Sequence, residues 1–132
     1  MNYKDQTIRH GEMMLVPVNE LEGLEIVEES QRIILAHSET GHHHVAVGDV
    51  VKYKPIAKGH PLYAQIVASL GYADGEIVPT EFQPFRAKST SALEHLKSFD
   101  KHETKTILPG LYIVPSKVEF DPFTKLIEKV RD

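Results

Sequence analysis

Ile33-Ile34-Leu35-Ala36-His37-Ser38-Glu39-Thr40-Gly41-His42-His43-His44-Val45-Ala46-Val47 is the stretch on which the fold turns. Two apolar segments flank Ser38-Glu39-Thr40-Gly41, a cluster of residues that favour turns. The pattern predicts a β-hairpin whose second strand opens on the histidines. Side chains alternate between faces along a strand, so His42, His44 and Ala46 share one face, and His43, Val45 and Val47 the other. A four-residue turn sets His37 directly across from His42. Three imidazoles then share one face within a side chain's reach, close enough to hold one metal ion. The histidine run is internal to the chain, so it is not an expression tag.

Outward from the hairpin, short apolar runs punctuated by turn residues continue in both directions. On the N-terminal side, Met13-Met14-Leu15-Val16-Pro17-Val18 reads as a strand covered on both faces, with Pro17 forcing an edge position or a bulge. Asn19 to Gly23 is a turn, and Leu24, Ile26 and Glu28 alternate ahead of the Ile33 strand. On the C-terminal side, Gly48-Asp49 reads as another turn, and Val50-Val51-Lys52-Tyr53 as a further strand ending at Pro55. Many short strands in the first half indicate a mainly β protein, a small β-barrel or sandwich. Residues 55–91 differ in character. Leu62, Ile66 and Leu70, widened by Tyr63 and Val67, form an apolar stripe that predicts a helix from His60 to Leu70, with Pro61 at its start and Gly71 as its stop. Thr80 to Thr90, carrying Pro84 and little periodicity, reads as a surface loop. Ser91 to Phe99 fits either a helix or a strand. Near the end, Thr106-Ile107-Leu108, the Pro109-Gly110 turn and Leu111-Tyr112-Ile113-Val114 predict strands, continued by Val118-Glu119-Phe120. Asp121 then caps a helix starting at Pro122, whose Phe123, Leu126, Ile127 and Val130 form one core-facing stripe closing an end of the barrel. The whole is expected to be one β-rich domain over residues 1–132, with an inserted helix-loop segment at about 55–91.

The totals narrow the chemistry. The net charge is −4, and the 15 Lys and Arg form no block, so neither nucleic acid nor an anionic membrane is an expected partner. No apolar run has the length of a membrane span, and the first residues do not resemble a secretory signal, which predicts a cytoplasmic protein. With no Cys, disulfides, thiolate zinc sites and cysteine nucleophiles drop out together. Any metal must use His and carboxylate ligands, a donor set suited to zinc, nickel, iron or manganese.

Three separated motifs carry a resemblance. They are Arg9-His10-Gly11-Glu12 running into the Met13 strand; Gly41, His42 and His44 as G-H-x-H; and Phe99-Asp100-Lys101-His102, then Leu108-Pro109-Gly110-Leu111-Tyr112, then Phe120-Asp121-Pro122. In that order and spacing the chain resembles a family of small, uncharacterised bacterial and bacteriophage proteins with H/Q-G-D/E, G-H-x-H and H-E-E-H…L-P-P-G-x-Y motifs. The match covers the first fifty and last thirty-five residues. It departs from the family where Phe99 replaces the first His of the third motif, and where residues 55–91 form a longer connection. The resemblance implies a recurring histidine site and leaves the reaction open.

By position in these motifs, His42, His44 and His102 are the metal candidates, with His37 added by hairpin geometry. Asp100, Glu39 and Glu103 are available as carboxylate ligands or as partners of imidazole N–H groups. His43 is expected to be a half-buried structural residue, and His60 and His95 surface residues. No serine triad, phosphate-binding loop or dinucleotide fingerprint is present, so no catalytic or organic-cofactor residues are assigned. The expectation is a non-enzymatic binding or structural protein with a divalent metal such as zinc. Its partners would be proteins: capsid or other virion proteins, as the phage-encoded relatives imply, or further copies of the chain. A capsid decoration or head-stabilising protein of a virion is the specific form of that expectation. The alternative is a small metal-dependent enzyme, a hydrolase or a cupin-like protein. The chain resembles cupins in His-x-His, but Gly48 and Asp49 stand where their usual Glu falls, so Asp49 would have to substitute.

Overall fold

The computed structural model describes residues 7–10, 13–37, 43–72, 76–95 and 104–115. Among these the chain runs through β1 (Ile8–His10), β2 (Met13–Pro17), β3 (Ile26–His37), β4 (His43–Tyr53), β5 (Ile56–Ala57), α1 (Tyr63–Leu70), β6 (Glu81–Ala87), β7 (Ser91–His95), β8 (Lys105–Ile107) and β9 (Gly110–Pro115). Every pairing is antiparallel. Neighbours follow the order β1-β2-β9-β6-β4-β7-β8, with β3 also on β4 and β5 also on β6. β8 returns against β1, so the sheet curls into a nearly closed barrel. The mainly β fold with an inserted helix is therefore as the strand pattern requires. The expected strand at 118–120 and capping helix from residue 121 lie outside the described residues.

Period-two alternation sorts the apolar side chains into two cores. In β9, Tyr112 and Val114 join Leu15, Ile33, Ala46, Val50, Phe85 and Leu93 in the barrel interior. Leu111 and Ile113 join Val51, Tyr53, Ile56 and Phe82 on the outer face. Helix α1 covers that outer face by seating Ile66 in it, with Leu62, Tyr63, Val67 and Leu70 packed alongside and Leu21 and Leu24 contributing from the β2–β3 connection. Sheets buried on both faces carry the near-continuous apolar runs seen in β2 and β9.

The helix is shorter than its stripe suggested, starting at Tyr63 and not at His60. The Nδ1 of His60 accepts the N–H of Leu62, and the His60 carbonyl accepts that of Tyr63, so the chain turns through Pro61 before the helix begins. Gly71 ends it as expected, in the left-handed conformation at φ 71°. The Tyr63 hydroxyl donates to the Pro79 carbonyl at 2.6 Å, tying α1 to the segment that enters β6.

Two expectations fail here for instructive reasons. The predicted loop from Thr80 to Thr90 contains β6, a central strand with Phe82, Pro84, Phe85 and Ala87 buried. Pro84 is tolerated because β4 pairs with residues 85–87 of that edge and β5 with 81–82, leaving an interruption at Pro84. The Gln83 side chain bridges the interruption, its Nε2 donating to the Tyr53 carbonyl at the end of β4. Pro17 follows the same rule: β1 pairs with β2 only as far as Leu15. The second failure is Gly48-Asp49, which makes no turn; β4 passes straight through it.

On the outer face Arg86 grips Glu20 with both guanidinium nitrogens, at 2.7 and 2.8 Å, and its Nε donates to the Tyr53 hydroxyl. Those hydrogen bonds, with the charge behind them, hold the Glu20 carboxyl below its ordinary range, against a smaller opposing effect of burial. A carboxylate with a lowered folded-state pKa adds stability at pH values above its unfolded pKa and loses it as acid titrates the folded form. Because the Glu20 side chain is 66% exposed, the contribution is under ~1 kcal/mol. Glu20→Gln is expected to lose that increment at pH 7 and to match the wild type once the pH falls below the folded-state pKa of Glu20, as read from urea melts on either side of it. An unchanged difference at the two pH values would rule out the ion pair as its source.

Candidate metal centre

β3 and β4 form the hairpin foreseen around the histidines, but its register differs by one residue. Along Arg32↔Val47, Ile33↔Ala46 and Ile34↔Val45 the strands are in the register that would bring His37 opposite His42. An irregularity between Ile34 and Ala36 then inserts one residue into β3, so Ala36 pairs with His44 and His37 with His43. Leu35, the residue at the irregularity, is buried in the barrel interior with Ile33. The connection is therefore 38–42, one residue longer than expected, and His42 falls within it.

His44 is 5% exposed, and alternation places it on the face of Ala46 and Val50, towards the end of the barrel interior. On its other edge β4 pairs with β7: His44↔His95, Val45↔Glu94, Ala46↔Leu93 and Val47↔Ala92. The first residues of β4 thus lie against the last residues of β7. β7 is itself the first strand of a hairpin with β8, paired from Ser91↔Ile107 to Leu93↔Lys105. The 38–42 connection and the 96–104 connection accordingly leave neighbouring strand ends. The former carries His42, one residue before β4, and the latter carries His102, three residues before β8. His42 and His102 themselves lie outside the described residues.

No family model, curated protein or solved structure matches this chain. Its chemistry must therefore be read from its own residues. Among the described residues no group of three or more His, Asp or Glu side chains is assembled as a metal site. What the described backbone does assemble is a row of register positions across three strands: His37 on β3, His43 and His44 on β4, His95 on β7.

Asp49 cannot complete a cupin-like set with His44. It is exposed, five residues further along the same strand, roughly 16 Å away at strand rise. Odd-numbered Val51 and Tyr53 belong to the outer core, so Asp49 also lies on the face opposite His44. Among the described residues no helix is long and apolar enough to cross a membrane.

Proposed function

We propose that the chain is a non-enzymatic binding or structural protein with a divalent-metal site at one end of its barrel. His42, His44 and His102 supply the ligands; His37, whose inclusion required pairing with His42, pairs instead with His43 and is not counted among them. The observation that carries this reading is the pairing of His44 and Val45 of β4 with His95 and Glu94 of β7, which brings the two histidine-bearing connections to neighbouring strand ends. Imidazole donors without thiolate suit zinc and its neighbours among the divalent transition metals. An ion held between the two connections would fasten one hairpin to the other. It would stabilise the fold because the unfolded chain has no preformed site for it.

The protein partner fits the class that the sequence resemblance implies, a virion protein surface. A metal that staples connections needs no open coordination position, which is why the structural reading stands ahead of the enzymatic one. Thermal melts of untagged protein test the site. At a free zinc concentration 100 times the dissociation constant, the folded state should gain about 2.7 kcal/mol, with a matching fall on adding chelator. His42→Ala and His102→Ala should melt alike with and without zinc. Coincident wild-type melts with zinc and with chelator would remove the metal from the proposal. Co-sedimentation with capsid particles tests the partner, and a chain that stays in the supernatant would count against a virion role.

A further inference from the structure

We infer that the outer edge of β3 pairs with the same edge of a second copy of the chain, antiparallel about a two-fold axis at Ser30. The inference uses none of the residues of the metal reading above. β3 is the longest strand, at 12 residues, and among the described residues it pairs with β4 alone. β4 takes β6 and β7 on its other edge, so the second edge of β3 faces no described strand. Residues 25–32 are all exposed, the apolar Ile26 and Val27 among them. The Arg32 N–H donates at 3.2 Å to the Ser30 hydroxyl of its own strand and not to a neighbouring one. A long edge of this kind is a template for a further strand unless Pro, Lys or a bulge blocks it. No Pro or Lys stands between Ile26 and His37, and the residues inserted into β3 fall near Val27 and Leu35, which leaves 28–34 regular.

The charges on that regular stretch choose the occupant. Glu29 is already paired with Lys88 of its own chain. Glu28 and Arg32 make no ion pair among the described residues. Four residues of strand, roughly 13 Å, keep them out of each other's reach. In a two-fold antiparallel pair, residues equally far on either side of the central one lie opposite each other on the same face. Centring on Ser30 sets Glu28 against Arg32 of the partner subunit, and symmetry forms that pair twice. It also brings Ile26 and Val27 alongside Ile33 and Ile34 of the partner subunit, which takes exposed apolar surface out of water. Other centres fail. Centring on Glu28, Glu29 or Arg32 opposes a charge to itself, and centring on Gln31 sets both glutamates against isoleucines. The edge is complementary to itself in one register, which is why its occupant is a second copy.

The test is sedimentation equilibrium of the full chain with chelator present, so that no metal contributes to association. A ladder of this length is smaller than a standard interface, so the dimer should form reversibly between about 10 μM and about 1 mM protein. Glu28→Arg and Arg32→Glu each oppose like charges and should each weaken the dimer at least about tenfold. Both side chains are exposed, and native circular dichroism checks that each variant folds. An equimolar mixture of the two variants should associate again, because the heterodimer restores an opposite-charge pair at both positions. Rescue by mixing cannot come from an effect within one chain. A wild type that stays monomeric throughout the range overturns the pairing. Single variants that dimerise as the wild type does, or a mixture that fails to recover, overturn it as well. The zinc melts decide the metal reading separately.

Discussion

Tyr112→Ala is expected to cost about 3–5 kcal/mol of folding stability, enough to bring a domain of ordinary stability close to its unfolding threshold. Tyr112 is completely buried in the barrel interior, opposite Phe85 in the β6–β9 ladder with ring centroids 6.4 Å apart. Truncation there removes the ring's transfer energy and leaves a void that two paired strands cannot easily collapse into. The hydroxyl adds a second contribution, donating at 2.6 Å to the carbonyl of Leu108 just ahead of the Pro109-Gly110 bend. Tyr112→Phe isolates it and should cost about 0.5–1.5 kcal/mol. Ile26→Ala, at a side chain 57% exposed near the start of β3, should change stability by no more than about 0.5 kcal/mol. Urea unfolding followed by circular dichroism measures all three. A Tyr112→Ala protein within 1 kcal/mol of wild type would mean that the interior of the barrel is not the principal core.

The contrast between Tyr112 and Ile26 also marks where the sequence could be read. Leu111-Tyr112-Ile113-Val114 announces a strand buried on both faces because every residue is apolar, and its alternation between two cores follows from period two alone. Ile26 and Val27 look as apolar in sequence, yet both are exposed, because burial there depends on which strands flank β3 and not on composition. β6 was hidden by Pro84, whose tolerance depends on the interruption between the β4 and β5 ladders, a tertiary fact. The hairpin was legible and its register was not. The irregularity near Leu35 shifts the pairing by one residue, and neither Ile34 nor Leu35 nor Ala36 carries a distinctive bulge signal. The pairing of β7 with β4 joins segments about fifty residues apart, a contact that no local pattern announces.

The step that makes β4–β7 pairing possible is at Gly48, and Gly48→Ala is expected to cost about 2–5 kcal/mol. β4 pairs with β7 through residues 44–47 and with β6 through residues 50–52, so one edge changes neighbours across Gly48 and Asp49. Ser91, the first residue of β7, is packed against the glycine at that changeover. A Cβ on residue 48 would meet Ser91 Oγ at 2.2 Å, its Cβ at 2.7 Å and its Cα at 3.1 Å. The serine hydroxyl cannot swing aside without leaving the Ser89 carbonyl to which it donates, and the Cα cannot move without shifting the strand. Gly48 also holds φ at 145°, a conformation that residues with a side chain rarely adopt. Strain and overpacking therefore act together, each of about 1–3 kcal/mol. A double-mutant cycle separates them. Ser91→Gly removes the Oγ and Cβ contacts, so the combined variant should recover at least about 1 kcal/mol relative to the sum of the single changes. Additive costs would assign the whole effect to backbone conformation. A neutral Gly48→Ala would exclude the close approach altogether, and with it the β4–β7 ladder that sets His95 opposite His44.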